Sequence, residues 1–112
     1  MDVLELLSSL VSFETVNDPA RGIRPSKDCP AFIRDTLASW GGIESELIER
    51  DGYYAVYGEI GEGKPKLLFM AHFDVVPVNR EEWETDPFKL TVKGDRAYGR
   101  GGAPTIRATL LP

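Results

Sequence analysis

The apolar positions at the start of the chain repeat with the period of a helix. Residues 3–13 form the first predicted helix, and its apolar side consists of Val3, Leu6, Leu7 and Leu10. Asp2 followed by Glu5 is the pattern of a capping box, in which two side chains satisfy backbone N–H groups at a helix start. Residues 17–27 are rich in proline and glycine, so they predict a loop after this helix.

A second helix is predicted over residues 29–40. Its apolar positions at helical spacing are Cys29, Ile33, Leu37 and Trp40. Asp28 is the predicted N-cap, and Gly41-Gly42 is the predicted end of the helix. Cys29 is the single cysteine of the chain, so it cannot form an internal disulfide, and we expect it to pack in the core.

After residue 42 the alternation of apolar and polar positions changes to a period of two, which predicts strands. The predicted strands are 43–50, 53–60, 66–71, 88–92 and 97–98. Turns are expected at Asp51-Gly52 and Gly94-Asp95. Residues 66–71 form a continuous apolar run, which is typical of a strand buried on both faces. Helices followed by strands predict an α/β fold.

Composition and charge narrow the class of protein. The chain has 112 residues, 42% of them apolar and 28% charged, which is the balance of one globular domain. The net charge of −5 and the lack of a basic patch argue against nucleic acid and anionic membranes as partners. The N-terminal segment has acidic residues in place of the basic start of a secretory signal. With a lone cysteine, these features predict a cytoplasmic protein.

The candidate chemistry lies in one short segment. His72 is the only histidine, and it follows the predicted buried strand 66–71, at the strand end where ligand sites of open α/β sheets gather. Asp74 lies two residues later, on the same side of an extended chain. A carboxylate in that position can fix the tautomer of a zinc-ligating imidazole. From the spacing alone, a satisfied polar pair is the more common explanation of a His-x-Asp sequence.

Three separated blocks of sequence, the first of which contains His72 and Asp74, carry a resemblance to a known family. Met70-Ala-His-Phe-Asp-Val-Val-Pro77, Trp83-Glu-Thr-Asp-Pro-Phe88 and Ala97-Tyr-Gly-Arg-Gly101 resemble, in order and spacing, one family of co-catalytic zinc hydrolases. It is the family of acetylornithine deacetylase, succinyl-diaminopimelate desuccinylase, aminoacylase and related dipeptidases. The resemblance implies the N-terminal part of a zinc-exopeptidase-like catalytic domain, with two helices followed by a mixed β-sheet.

The same resemblance implies a chemistry. His72 would be a metal ligand, and Asp74 would be the catalytic acidic neighbour that orients it. The cofactor would be zinc, two ions in the complete site, with cobalt as an alternative metal. The substrate would be a small N-acyl amino acid or a peptide, cleaved at its amide bond, and full-length members would be compatible with a homodimer.

The chain departs from the family pattern after residue 103. The aspartate that bridges the two metals in the family aligns with Pro104, and the lysine and glycine after it align with Ile106 and Arg107. The paired glutamates of the family lie further downstream. We therefore expect residues 1–103 to be the N-terminal part of the catalytic domain and 104–112 to be an aberrant tail.

The tail also permits a specific hypothesis about its origin. Synonymous codons for 104–112 exist that, read in another frame, encode Asp-Asp-Lys-Gly-Asn-Val-Ala-Ser, which contains the expected motif. A frame shift near Ala103 is the resulting hypothesis, and the nucleotide sequence decides it. The chain alone is then expected to be inactive. The alternative is a non-catalytic fragment or interaction module with no enzymatic role.

Overall fold

The computed structural model describes residues 2–101 and the backbone of residues 106–110. The helices are α1 (Val3–Ser12) and α2 (Asp28–Ser39), and single 3-10 turns lie at Pro19–Arg21 and Arg80–Glu82. The strands are β1 (Ile43–Arg50), β2 (Tyr53–Ile60), β3 (Leu67–Ala71), β4 (Thr91–Lys93), β5 (Arg96–Tyr98) and β6 (Ile106–Leu110). The proposed frame-shift point at Ala103 and the substituted position Pro104 lie outside the described residues.

The chain divides into two compact units. The first comprises residues 1–25 and 74–103, and the second comprises residues 26–73 and 104–112. Within the described ranges, none of the helices reaches the length and apolarity that a membrane crossing requires.

The first unit contains α1 and the β4–β5 hairpin. The predicted capping box is confirmed, because the backbone N–H of Glu5 donates to Asp2 Oδ1 at 2.8 Å and that of Asp2 donates to Glu5 Oε2 at 3.1 Å. Val11 is the buried residue of α1, with 5% of its surface exposed. β4 and β5 pair antiparallel around the predicted turn, where Gly94 has a φ of 62°. A parallel bridge joins Val16 to Val75.

The second unit begins with α2, whose start corrects the prediction. Lys27 is the N-cap and makes no capping hydrogen bond through its side chain, whereas Asp28 lies inside the first turn. The N–H of Asp28 donates to Ser26 Oγ at 3.3 Å, so a residue upstream of the N-cap satisfies one of the N–H groups that have no partner within the helix. As an acidic residue in the first turn, Asp28 still favours the helix through its dipole.

The rest of the second unit places α2 against a long hairpin. β1 and β2 pair antiparallel along their full lengths, from Ile43 opposite Ile60 to Arg50 opposite Tyr53, as the sequence predicted. Ser45 Oγ donates to the carbonyl oxygen of Arg34 at 2.9 Å, which connects β1 to α2. The helix is followed, as predicted, by two glycines in the left-handed region of backbone space.

Two expectations about the sheet are corrected. β3 was predicted to be buried on both faces, but Leu67, Phe69 and Met70 expose 47%, 67% and 55% of their surface. The reason is that β3 pairs only with β6 among the described strands, and an apolar strand is buried only where other layers cover it. The described strands form three separate antiparallel pairs in place of one mixed sheet.

Candidate functional site

His72 and Asp74 lie in the loop that follows β3. His72 is the first residue after the strand, and its side chain is exposed. Asp74 is half-buried and is the first residue of the second segment of the first unit. The strand end predicted from the sequence is therefore confirmed as the position of His72.

Asp74 is tied to the chain that follows α1. Asn17 Nδ2 donates a hydrogen bond to Asp74 Oδ2 at 3.1 Å. The adjacent backbone is paired as well, because the N–H of Val75 donates to the carbonyl of Thr15 at 3.0 Å and the N–H of Asn17 donates to the carbonyl of Val75 at 2.9 Å. Thr15 is buried, with 6% of its surface exposed. The loop after Asp74 is thus held by an isolated parallel bridge between Val16 and Val75.

The block that ends at Gly101 contacts the same loop. Arg100 Nη2 donates to the carbonyl oxygens of Val76 and Pro77, at 3.2 and 3.3 Å. At Gly101, an added Cβ would lie 3.2 Å from Val75 Cγ1, so a side chain larger than hydrogen would crowd the loop. These contacts keep the backbone of residues 75–77 close to the glycine-rich block.

The middle block is joined to the same group. The backbone N–H of Arg100 donates to the carbonyl of Pro87 at 2.6 Å, and the Pro87 side chain is fully buried. Within the first unit, segments of all three sequence blocks therefore meet: 74–77, 83–88 and 97–101. Three segments that are separated in the sequence are therefore in contact in the folded first unit.

Arg80 contacts residues of the middle block and Glu14, which follows α1. Its guanidinium lies 3.1 Å from Glu14 Oε1 and 3.3 Å from Asp86 Oδ1, and 5.3 Å from the centre of the Phe88 ring. Asp86 Oδ1 also accepts the N–H of Phe88 at 3.0 Å. The charged side chains of Arg80, Glu14 and Asp86 are half or more exposed, so each ion pair contributes only about 0–1 kcal/mol to stability. Their effect is to order the turn that precedes Pro87.

The described residues supply only part of a metal site. An exposed imidazole and a nearby carboxylate in sequence are ligand types that suit zinc. However, no group of three or more His, Cys, Asp or Glu side chains in the described part of the chain could hold a metal ion together. A metal bound at His72 would need further ligands from outside that part.

The comparisons with known proteins support the family resemblance that the three blocks indicated. The model of peptidase family M20/M25/M40 matches residues 68–105, which include His72, Asp74 and all of the glycine-rich block. By these residues, the chain belongs to peptidase family M20/M25/M40. The predicted family resemblance is confirmed.

Relatives of the M20/M25/M40 chain extend the similarity to most of its length. It is 33% identical over 105 residues to a succinyl-diaminopimelate desuccinylase of Legionella pneumophila, covering 91% of this chain and 26% of that protein. It is 36% identical over 105 residues to an acetylornithine deacetylase of Vibrio campbellii, covering 89% and 27%. The chain thus spans about a quarter of the length of the curated relatives it matches. No solved structure matches the chain significantly.

Sequence reasoning missed three residues that hold this cluster of segments together: Asn17 and Arg100 at the loop, and Arg80 at the turn before Pro87. Asn17 lies in a predicted loop, 57 residues from its partner Asp74. Arg100 entered the prediction only as part of a glycine-rich pattern. The available signal was indirect, since a polar residue in a loop and an arginine between two glycines are both common on surfaces.

Proposed function

We propose that this chain is the N-terminal part of the catalytic domain of a metal-dependent amide-bond hydrolase. The observation that carries the proposal is the coincidence of the family match over residues 68–105 with the loop clamped around Asp74. The names of the relatives, a desuccinylase and a deacetylase, support removal of an acyl group from an amino compound. The substrate class proposed is therefore a small N-acyl amino acid or a short peptide.

In this proposal His72 donates one imidazole nitrogen to a zinc ion, and Asp74 acts as the acidic neighbour that orients the ring. A carboxylate in that role fixes the tautomer and raises the basicity of the imidazole. Zinc, when bound in a complete two-metal site, polarises the scissile carbonyl and lowers the pKa of water. The part played by this chain is to present His72 at a strand end and to hold the loop after it.

We further propose that the 112-residue chain alone does not hydrolyse such substrates. By the resemblance, the metal-bridging aspartate of the family would fall at position 104, where this chain has proline. Proline has no side-chain oxygen or nitrogen that could bind zinc. The aberrant tail proposed for residues 104–112 therefore removes a ligand that His72 needs as a partner.

Zinc titration followed through the imidazole ¹⁵N signals tests the role of His72, because the chain has one histidine and its signals are unambiguous. We expect weak, saturable binding that shifts these signals. Asp74→Asn should weaken zinc binding by roughly 10–100-fold, the range for partners of metal-ligating histidines. His72→Ala, monitored by calorimetry, is the control and should abolish binding.

The same samples test the proposed lack of activity. N-acetyl and N-succinyl amino acids should remain intact in the presence of zinc. Zinc-dependent turnover by the purified chain, or equally strong zinc binding by the His72→Ala variant, would contradict the proposal.

One observation favours a second candidate, an interaction module without enzymatic role. The apolar residues Leu67, Phe69 and Met70 of β3 are exposed in a strand that pairs only with β6 among the described strands. Large exposed apolar patches mark surfaces that contact other protein. If the purified chain does not bind zinc but binds another protein through β3, this candidate is favoured over the hydrolase.

A further inference from the structure

The segment that follows α1 lies directly beside the candidate loop. Val16 and Val75 form a parallel bridge, with backbone hydrogen bonds of 3.0 Å from Val75 to Thr15 and 2.9 Å from Asn17 to Val75. Backbone groups on both sides of Val16 are therefore fixed relative to Val75. The side chain of Asn17 is placed next to that of Asp74, and the two meet at 3.1 Å.

The amide of Asn17 has an orientation that can be decided chemically. Its nitrogen must face Asp74 Oδ2, because the oxygen of the amide would be repelled by an acceptor-only carboxylate. The Oδ1 atom is buried and has no hydrogen-bond partner among the described residues. A buried acceptor without a partner destabilises the folded chain, because it has lost its hydrogen bonds to water. Stability alone therefore does not explain an amide at this position. The hydrogen bond that the amide does make is the one to Asp74.

The donor in this contact is also neutral. An arginine or lysine in the same place would add a positive charge beside Asp74, and a positive charge opposes the binding of a metal cation nearby. An amide N–H restricts rotation of the carboxylate and adds no charge of its own beside it. This combination suits a carboxylate that must act on an imidazole or a metal ion.

We propose that Asn17 is a positioning residue that fixes the orientation of the Asp74 carboxylate for its action on His72. The inference rests on the proposed function, in which Asp74 orients a zinc-ligating imidazole. Asn17 acts through Asp74 and does not itself bind metal or substrate. The loop after α1 thereby takes part in holding Asp74, although it lies 57 residues away in sequence.

Two substitutions at Asn17 separate positioning from packing. Asn17→Ala removes the amide and most of the side-chain volume, whereas Asn17→Leu removes the amide and keeps the volume. The readouts on the 112-residue chain are the zinc dissociation constant, from the His72 ¹⁵N signals, and the midpoint of thermal unfolding. Asn79→Ala is the matched control, because Asn79 is also an asparagine that follows a loop and its Oδ1 accepts the N–H of Glu81 to cap the turn Arg80–Glu82.

We expect both Asn17 variants to weaken zinc binding by up to about tenfold, the lower limit for partners of metal-ligating histidines. Both should also move the His72 ¹⁵N signals of the metal-free chain towards those of Asp74→Asn. Asn17→Leu should unfold at a temperature close to that of the unmodified chain, because it removes the unpartnered acceptor. Asn79→Ala should bind zinc as the unmodified chain does.

The outcomes distinguish the two proposals. If Asp74→Asn binds zinc as tightly as the unmodified chain, the orienting role of Asp74 in the proposed function is wrong. If Asp74→Asn weakens zinc binding and neither Asn17 variant does, the inference about Asn17 alone is overturned. Full recovery of zinc affinity in Asn17→Leu would also overturn it, since volume without an amide would then suffice. Should Asn17→Ala fail to fold, Asn17→Leu still decides.

Discussion

Cys29 shows how burial controls the chemistry of a single side chain. It has 2% of its surface exposed in α2, and burial raises the pKa of its thiol from 9.0 to about 11. Since the thiolate is the reactive form, a rise of this size lowers the thiolate fraction near neutral pH by about 100-fold. The sequence-based prediction that Cys29 packs in the core is confirmed.

We expect Cys29 to react with a disulfide reagent at least about 100-fold more slowly in the folded chain than in denaturant at about pH 8. The measurement is the rate of release of the coloured thiol. A native rate equal to the denatured rate would show that the thiol is accessible and that this part of α2 is not formed.

The raised pKa of Cys29 also gives a pH dependence of stability. The unfolded thiol loses its proton at pH 9.0 and above, whereas the folded thiol keeps it up to about 11. The contribution of the buried thiol is therefore fully present below pH 9.0 and is lost as the pH rises through the folded pKa. We therefore expect the difference in unfolding free energy between the unmodified chain and Cys29→Ala to decrease between pH 9.0 and about 11. A difference that does not change with pH would contradict the raised pKa of Cys29.

At the candidate site, the sequence predicted His72 and Asp74 but not the residues that hold Asp74 and the loop after it. The two residues stand out locally, because they are two apart and follow an apolar run. Asn17 and Arg100 contact the loop across 57 and 23–24 residues of sequence, and such contacts exist only once the chain has folded. A pattern within one segment carries no information about them.

At the scale of elements, local signals predicted the hairpins well. Asp51 and Gly52 have φ angles of 53° and 80°, which is the turn geometry that Asp-Gly favours, and the flanking strands pair as predicted. The exposure of β3 was not predictable in this way. An apolar run indicates that a strand is suited to burial, but the neighbouring layers decide whether it is buried.

The contact between α1 and the glycine-rich block gives a prediction at this scale. A Cβ added at Gly99 would lie 2.8 Å from Val11 Cγ1, and Val11 is buried and stiff because it is β-branched. We therefore expect Gly99→Ala to lower the free energy of unfolding by about 1–3 kcal/mol, the usual cost of overpacking. Denaturant unfolding followed by circular dichroism is the measurement.

Gly58→Ala is the matched control for this substitution. Like Gly99, Gly58 lies outside the left-handed region, so neither change strains the backbone. Its added Cβ would lie 3.3 Å from Leu37 Cδ1, the end of a flexible side chain that can move. We expect Gly58→Ala to be close to neutral. Equal effects of the two substitutions would show that the contact with Val11 is not tight.

At the scale of the whole molecule, the chain exposes large apolar side chains and buries few. Among the described residues, Val11 and Cys29 are the buried core positions, whereas three of the five β3 residues expose about half of their surface or more. Apolar surface on a strand promotes association between chains. The sequence indicated this only indirectly, through an apolar run that needs covering.

We expect the purified chain to self-associate as its concentration rises, and Phe69→Lys to reduce this association. Phe69 exposes 67% of its surface at the middle of β3, and a lysine there places a charge where apolar contact would form. Ile60→Lys is the matched control, because Ile60 is equally prominent at 72% exposure but lies at the end of β2. Sedimentation velocity over a range of concentrations measures the effect. If the unmodified chain stays monomeric and unfolds cooperatively, the β3 surface does not drive self-association, and the chain behaves as an independent module.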